Sequence, residues 1–210
     1  MPLVEPTVKR ARAFVDGQNL YHAAKDAFGY TYPNYDVRAL AEAVCAAQGW
    51  RLGGVSFYTG YPANTDNSFW HAFWQNKLLA MTRSGIQCFS RVLRYRNERV
   101  RLSDGSEHTI LVGREKGIDV RLALDVIRSA LRDEYDVALI FSQDQDLSEV
   151  ADEIRAIASE RCRWIKIASV FPISPTSQNT RGVNKTDWIR IDRAVYDACL
   201  DPRDYRANRK

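Results

Sequence analysis

Four aspartates stand where a chain of alternating strands and helices would bring them together. Asp16 follows the apolar residues 13–15, and Asp144 and Asp146 follow the apolar run 137–141. Asp119 stands at the start of a long amphipathic pattern. Because clustered carboxylates repel one another, a crevice that holds them is costly unless cations neutralise it. A hard divalent ion such as Mg²⁺ or Mn²⁺ suits oxygen ligands of this kind, so the aspartates predict a metal site.

Apolar runs and amphipathic patterns alternate along most of the chain. Short apolar runs predict strands at 12–18, 54–58, 86–92, 136–142 and 163–171. Helical spacing and capping residues predict helices at 19–28, 35–48, 67–85, 117–132 and 147–160. This alternation is typical of a doubly wound α/β fold with a mostly parallel sheet.

The rest of the chain departs from this alternation. Alternating residue types predict an antiparallel β-hairpin at about 91–113, inserted at the edge of the sheet. A Ser/Asn/Pro-rich stretch at 172–187 predicts an ordinary surface loop, followed by a short strand and a last helix. We expect one domain over 8–200 and a charged, frayed tail at 201–210.

In an open parallel sheet, ligands bind beyond the carboxyl ends of the strands, at the switch in strand order. Asp16 and Asp144 follow the first and fourth predicted strands. Asp119 is in the first turn of the helix that leads into the fourth strand, and such a helix begins at the same edge. If the two strands are neighbours, the acids converge. We expect Asp119 to face the core, and Asp125 to lie on the solvent face paired with arginines. Asp146, but not Asp144, also fits a helix N-cap.

Bulk properties narrow the classes of function. The net charge is +4, which mildly favours a polyanionic partner. Four cysteines and three histidines are scattered, which argues against a zinc hydrolase and against a disulfide framework. The N-terminus has no signal-peptide pattern, and no apolar run reaches membrane-spanning length. We therefore expect a cytoplasmic protein that does not bind membranes.

Three segments in order, 14–20, 116–120 and 142–147, resemble the NYN domains of the PIN-like nuclease superfamily, particularly the bacterial LabA-like group. The resemblance covers roughly residues 10–171. It implies a three-layer α/β/α PIN-like (Rossmann-like) sandwich and a metal-dependent ribonuclease that uses Mg²⁺ or Mn²⁺ on RNA. It also assigns metal-binding and catalytic roles, with the acids as Asp16, Asp119, Asp144 and Asp146, and neighbouring polar groups as Asn19 and Ser142. Leu147 departs from the family's frequent Phe at a core position. A homodimer is left open.

Several residues have a second interpretation. Asn19 is equally consistent with a helix cap, and Ser142 with a small residue at a strand end. Basic residues in and near the hairpin suit single-stranded RNA, although they also suit a charged edge strand that prevents aggregation. These residues are Arg91, Arg94, Arg96 and Arg99. Lys116, beside Asp119, suits a phosphate contact, although it also fits a solvent-exposed position. Tyr61, in a loop after a strand, is the aromatic residue that we expect to stack on a base.

Two other functions stay open. One is a non-catalytic RNA-binding or regulatory module on the same scaffold, which a metal titration would distinguish. The other is a haloacid-dehalogenase-like phosphatase, because Asp144 and Asp146 form an Asp-x-Asp pair. That chemistry needs the pair after the first strand, where this chain has only Asp16.

Overall fold

The computed structural model describes residues 3–101, 106–114 and 116–206. Its main sheet has six strands in the order β3-β2-β1-β6-β7-β8, and all the pairings between them are parallel. The strands are β1 (Arg10–Asp16), β2 (Arg51–Tyr61), β3 (Gln87–Val92), β6 (Val137–Phe141), β7 (Lys166–Pro172) and β8 (Asp187–Ile191). The strand order switches direction between β1 and β6. The predicted neighbours therefore pair, and their carboxyl ends meet at the switch point.

The central strands are buried on both faces, because helices cover each side of the sheet. In β6, Val137 and Leu139 pack into one core, and Ala138 and Ile140 pack into the other. Strands enclosed in this way read as continuous apolar runs, which is why the sequence predicts them well.

Helices form the outer two layers. One core is covered by α1 (Gly17–Phe28), α2 (Val37–Gln48), α3 (Ser68–Arg83) and the short α6 (Arg193–Asp197). The other is covered by α4 (Ile118–Leu131) and α5 (Ser148–Glu160). The predicted three-layer α/β/α sandwich is confirmed.

Local capping sets several helix boundaries. Asp36 accepts backbone N–H groups at the start of α2, and Asn67 does the same for α3. Gly29 and Gly49 end α1 and α2 with φ of 78° and 69°, a left-handed conformation that glycine adopts without steric cost.

The predicted hairpin is present but does not join the main sheet. Its strands, β4 (Arg94–Arg101) and β5 (Glu107–Arg114), pair antiparallel with each other as a separate two-stranded sheet. Alternating residue types indicate that two strands pair, but they do not indicate where the pair docks. The expected turn at 103–106 lies mostly outside the described residues.

The C-terminal tail packs on the domain instead of fraying over its described part, 201–206. Lys77 is fully buried, and its Nζ donates to the carbonyl of Tyr35 at 2.9 Å and to Asp201 Oδ2 at 3.0 Å. Burial lowers the pKa of Lys77, and the Asp201 carboxylate opposes that effect. Tyr205 packs edge-on against Phe73 at 6.0 Å. The ion pair therefore anchors the tail on the layer formed by α3.

Among the helices in the described ranges, none combines the length and the apolar character needed to cross a membrane.

Candidate active site

Asp16 lies where β1 passes into α1. Its side chain is 5% exposed, and its Oδ1 accepts the backbone N–H of Asn19 at 3.0 Å, which caps α1. The backbone packs closely against a ring here, because a Cβ on Gly17 would lie 2.4 Å from Cζ of Phe57. Asp16 and Gly17 together form a strand-to-helix junction that holds a buried carboxylate at the edge of the sheet.

Ser142 and Asn19 connect the ends of β1 and β6. Ser142 Oγ donates to Asp16 Oδ2 at 3.3 Å and accepts the backbone N–H of Asp144 at 3.2 Å. Asn19 Oδ1 accepts the backbone N–H of Gln143 at 2.9 Å. Of its two predicted roles, Asn19 is therefore not the helix cap, since Asp16 fills that position. Both side chains fix the relative position of the two strand ends.

Asp144 and Asp146 have the opposite capping roles to those predicted. A short 3-10 turn, Gln145–Leu147, begins directly after Asp144, whose Oδ1 accepts the backbone N–H of Asp146 at 3.0 Å. Asp146 is exposed, and α5 begins after Leu147 without a side-chain cap. The prediction of Asp146 as the cap is wrong because the turn adds residues before the helix. The carboxylate of Asp144 is therefore held by the hydrogen bond that caps the turn, whereas the carboxylate of Asp146 is exposed to solvent.

Asp119 lies in the first turn of α4 but does not face the core as predicted. The core-facing residues of this helix are Ile118, Leu122 and Val126, so the apolar stripe begins one residue before Asp119. Asp119 is instead exposed. Asp125 pairs with an arginine as predicted, but it is less exposed to solvent than expected. It is 20% exposed and accepts hydrogen bonds from Tyr58 Oη at 3.0 Å and Arg121 Nε at 2.8 Å.

The four carboxylates form one electrostatic cluster. Burial raises the pKa of Asp16 to about 6, the hydrogen bond from Asn19 opposes this, and the charges of Asp119 and Asp144 raise it further. The pKa of Asp119 is also raised, first by partial burial and then by Asp144 and Asp146. Asp16 therefore interacts with Asp119 and Asp144, and Asp119 also interacts with Asp146, at a cost in repulsion.

The donor set fits a hydrated divalent cation better than a fully enclosed one. In the described parts of the chain, no three carboxylate, imidazole or thiol groups lie close enough to ligate one ion together. Mg²⁺ keeps several waters and is held by one or two carboxylates together with substrate phosphates. A buried carboxylate beside exposed ones, all oxygen donors, matches that preference.

Two glutamines between the acids have a role that the sequence analysis missed. Gln143 Nε2 donates to the carbonyl of Arg181 at 2.9 Å, and Gln145 Nε2 donates to that of Gly182 at 3.0 Å. They fasten residues 178–184, which we call the flanking loop, beside the acids. The predicted ordinary surface loop is thus fixed to the site. The alternation of glutamine and aspartate in 142–146 was the available signal.

Arg91 is positioned to support the site. Its Nη1 donates to the carbonyl of Lys116 at 3.0 Å. Gly117 follows with φ of 72°, and a Cβ there would lie 2.8 Å from the same Nη1. Arg91 thus holds the chain where α4 and its Asp119 begin, while the Lys116 side chain is exposed.

The other predicted nucleic-acid contacts are spread over the neighbouring surface. Arg94 and Arg99 are exposed on β4, and the side chain of Arg96 lies outside the described part of the structure. The prediction of Tyr61 in a loop is wrong, because it is the last residue of β2 and pairs with β3. It is half-buried, and its hydroxyl accepts a hydrogen bond from Gln75 Nε2 at 3.1 Å. These residues are therefore on the hairpin side of the carboxyl edge.

The sequence profile of the NYN domain family matches residues 10–168. A search of curated proteins gave no match. The chain is similar to a solved structure of a protein of unknown function from Vibrio parahaemolyticus, with a TM-score of 0.50 and 18% identity, over 94% of this chain and 99% of that one. At that identity the likeness shows the fold alone. The family profile spans most of the chain and includes all four aspartates. The protein is therefore a member of the NYN domain family, with the nuclease-like α/β/α fold of PIN-like proteins.

Proposed function

We propose that this protein is a metal-dependent ribonuclease that hydrolyses phosphodiester bonds of single-stranded RNA in the cytoplasm. The observation that carries the proposal is the buried carboxylate of Asp16, whose pKa is raised by burial and by two further carboxylates of the same crevice. Such an arrangement is unfavourable for folding alone and is typical of functional sites. The four aspartates all belong to one chain, and neither the described residues nor the family match supports the predicted homodimer.

The residues that would hold Mg²⁺ or Mn²⁺, one or two of them directly and the others through the waters of the ion, are Asp16, Asp119, Asp144 and Asp146. When bound, the ion would lower the pKa of a water and stabilise the leaving oxygen of the phosphodiester. Asp16 and Asp144 are held rigidly by backbone N–H groups and by Ser142.

The remaining parts of the site would position the RNA. The exposed Asp119 and Asp146 leave the crevice open on the solvent side, where a phosphate can approach. Arg94, Arg99 and Lys116 would supply positive charge to the RNA backbone. No side-chain nucleophile is required for this hydrolysis.

A second candidate is an RNA-binding module without catalysis. The observation that favours it is the absence, within the described ranges, of three side chains close enough to share one ion. The two candidates differ in whether a divalent ion changes the fate of bound RNA, so a single assay can distinguish them.

The test is cleavage of a labelled single-stranded RNA, followed on a gel, with Mg²⁺ or Mn²⁺ and with excess EDTA. We expect cleavage with either ion and none in EDTA. Asp119→Asn and Asp144→Asn should each abolish cleavage, while Glu42→Gln, on the exposed face of α2, should cleave like the original protein. A small phosphomonoester serves as the substrate for the phosphatase alternative.

Two other outcomes would contradict parts of the proposal. Cleavage that persists in excess chelator would refute the metal requirement. RNA binding without cleavage under every condition would favour the non-catalytic module. Anomalous scattering from crystals soaked in Mn²⁺ gives a readout that does not depend on activity, and we expect density among the four aspartates.

A further inference from the structure

A cavity of about 310 Å³ lies on the hairpin side of the site, lined by four aromatic side chains and by Gln18, Pro33, Pro62, Asn67 and Leu93. Its volume is at the lower end of the range of roughly 300–1,000 Å³ found for small-molecule pockets. We call it the aromatic pocket, and its defining residues are Gln18, Tyr21, Asn67, Trp70, Trp74 and Tyr95. None of the four aspartates of the acidic cluster lines this pocket.

The rings of this pocket are fixed by packing behind them. Trp70 lies edge-on to Phe73 with ring centroids 5.1 Å apart, and Trp74 lies 6.0 Å from Phe57. The hydroxyl of Tyr21 donates to a backbone carbonyl at 3.1 Å. Trp70, Tyr21 and Tyr95 nevertheless stay half-exposed. The pocket therefore presents preformed ring faces to solvent.

The pocket lies on the same edge of the sheet as the acids. Gln18 stands two residues after Asp16 in the first turn of α1, and its Nε2 donates to the carbonyl of Gly60 in β2 at 3.0 Å. Trp70 is in the first turn of α3, after β2, and Tyr95 follows β3. The strands that border the pocket, β2 and β3, are the first and second neighbours of β1 on this side of the sheet, so the pocket lies beside the strand that carries Asp16.

Two polar groups give the pocket a hydrogen-bonding pattern. Gln18 uses its amide N–H on Gly60, which leaves its carbonyl oxygen to accept. Asn67 uses its carbonyl oxygen to cap Trp70 at 3.0 Å, which leaves its amide nitrogen to donate. A purely apolar occupant would leave both groups without a partner. The edge of a nucleobase carries both donors and acceptors, and its face stacks on aromatic rings.

We propose that the aromatic pocket binds one unpaired nucleobase of the RNA, next to the nucleotide whose phosphate lies at the acidic cluster. The inference rests on the proposed function for its choice of ligand. The exposed Arg94, directly before Tyr95, supplies a positive charge for the backbone of the same nucleotide. Base stacking of this kind requires single-stranded RNA, because paired bases do not expose their faces.

The test measures binding of a short fluorescein-labelled single-stranded RNA to the full chain by anisotropy in EDTA, so that cleavage cannot interfere. Trp70→Leu should bind at least about 5-fold more weakly, the factor that corresponds to one stack of about 1 kcal/mol. Trp70→Phe keeps a ring and should lose less affinity. Trp50→Leu is the matched control, since Trp50 is a half-buried tryptophan at the start of β2, at the opposite edge, and it should bind like the original.

A second measurement shows whether the pocket takes a base. In RNAs with one base removed at each position in turn, one position should weaken binding to the original protein and leave binding to Trp70→Leu unchanged. Equal losses for both proteins at every position would overturn the inference, as would Trp70→Leu binding with full affinity. Melting curves identify a variant that does not fold, in which case Trp70→Phe and the abasic series on the original protein decide.

These outcomes separate the inference from the proposed function. Metal-dependent cleavage with no effect of Trp70 would refute the pocket and leave the ribonuclease intact. Pocket-dependent binding with no cleavage under any condition would refute the ribonuclease and leave the pocket intact.

Discussion

Replacing Asp16 with asparagine should stabilise the metal-free protein at neutral pH. Burial and the neighbouring carboxylates raise the pKa of Asp16 from its ordinary value of 3.8 to about 6. Between those values the folded protein keeps a proton that the unfolded chain has lost. The free energy of unfolding therefore falls as the pH rises through this window, and it stays low above it. A difference of about two pH units corresponds to about 3 kcal/mol at 1.36 kcal/mol per unit.

The assay is urea unfolding in EDTA at about pH 7.5 and about pH 3, on either side of the window. At the higher pH, Asp16→Asn should be more stable than the original by up to about 3 kcal/mol. At the lower pH the difference should nearly vanish, because both side chains are then neutral. The asparagine oxygen can still accept the N–H of Asn19, so the cap of α1 is kept.

The matched control is Asp192→Asn at the N-cap of α6, an exposed residue outside the acidic cluster. Asparagine and aspartate cap helices about equally well, so we expect a change within about 0.5 kcal/mol at either pH. If Asp16→Asn is instead less stable by about 1–3 kcal/mol, its carboxylate serves the fold through its hydrogen bonds. The argument for a functional acid would then be refuted.

Three further predictions concern the surroundings of the site. The double variant Arg94→Ala and Arg99→Ala should weaken RNA binding. It should also reduce the slope of log affinity against log salt concentration by about two, because fewer counterions are released. An unchanged slope in a salt titration would mean that both residues only protect the edge strand from aggregation. Gly17→Ala should destabilise the protein by about 1–3 kcal/mol in urea unfolding, because the new Cβ would overlap a buried ring; unchanged stability would mean that the ring can move away. Gln143→Ala should raise proteolysis and hydrogen exchange in 178–184; equal protection in both proteins would show that other contacts fix this loop.

The convergence of the acids could be predicted because it follows from the direction of the chain. Asp16 is the last residue of β1, Asp144 lies shortly after β6, and Asp119 is in the first turn of the helix that leads into β6. In a parallel sheet, all such positions lie at one edge. The pairing of β1 with β6 was the assumption that made them meet, and the structure contains that pairing.

Roles that depend on a shift of one or two residues could not be predicted. The turn at Gln145–Leu147 moves the capping position from Asp146 to Asp144. The stripe through Ile118 and Leu122 turns Asp119 out of the core. Periodicity identifies a helix reliably but leaves its end and its rotation uncertain by about this amount.

Contacts between residues that are far apart along the chain could not be predicted from the local pattern of residue types. Gln143 and Gln145 bind a loop more than thirty residues away along the chain. The rings of Tyr21, Trp70 and Tyr95 meet in one pocket although they come from α1, α3 and β4. In the sequence, such residues read as ordinary core or loop positions, because hydrogen bonds and ring contacts between elements impose no spacing.

The buried ion pair joins Lys77, inside the part of the chain that the family profile matches, to Asp201, which lies beyond that part. The similarity that defines the family ends at residue 168, inside β7. A polypeptide cut there would lose β8 and α6, and it would leave the buried ammonium of Lys77 without its carboxylate partner. Removing one partner of a buried pair costs roughly 3–5 kcal/mol, a large part of the stability of a typical domain. The segment that matches the family profile is therefore shorter than the segment needed for a stable fold, and fragments for expression should extend through residue 206.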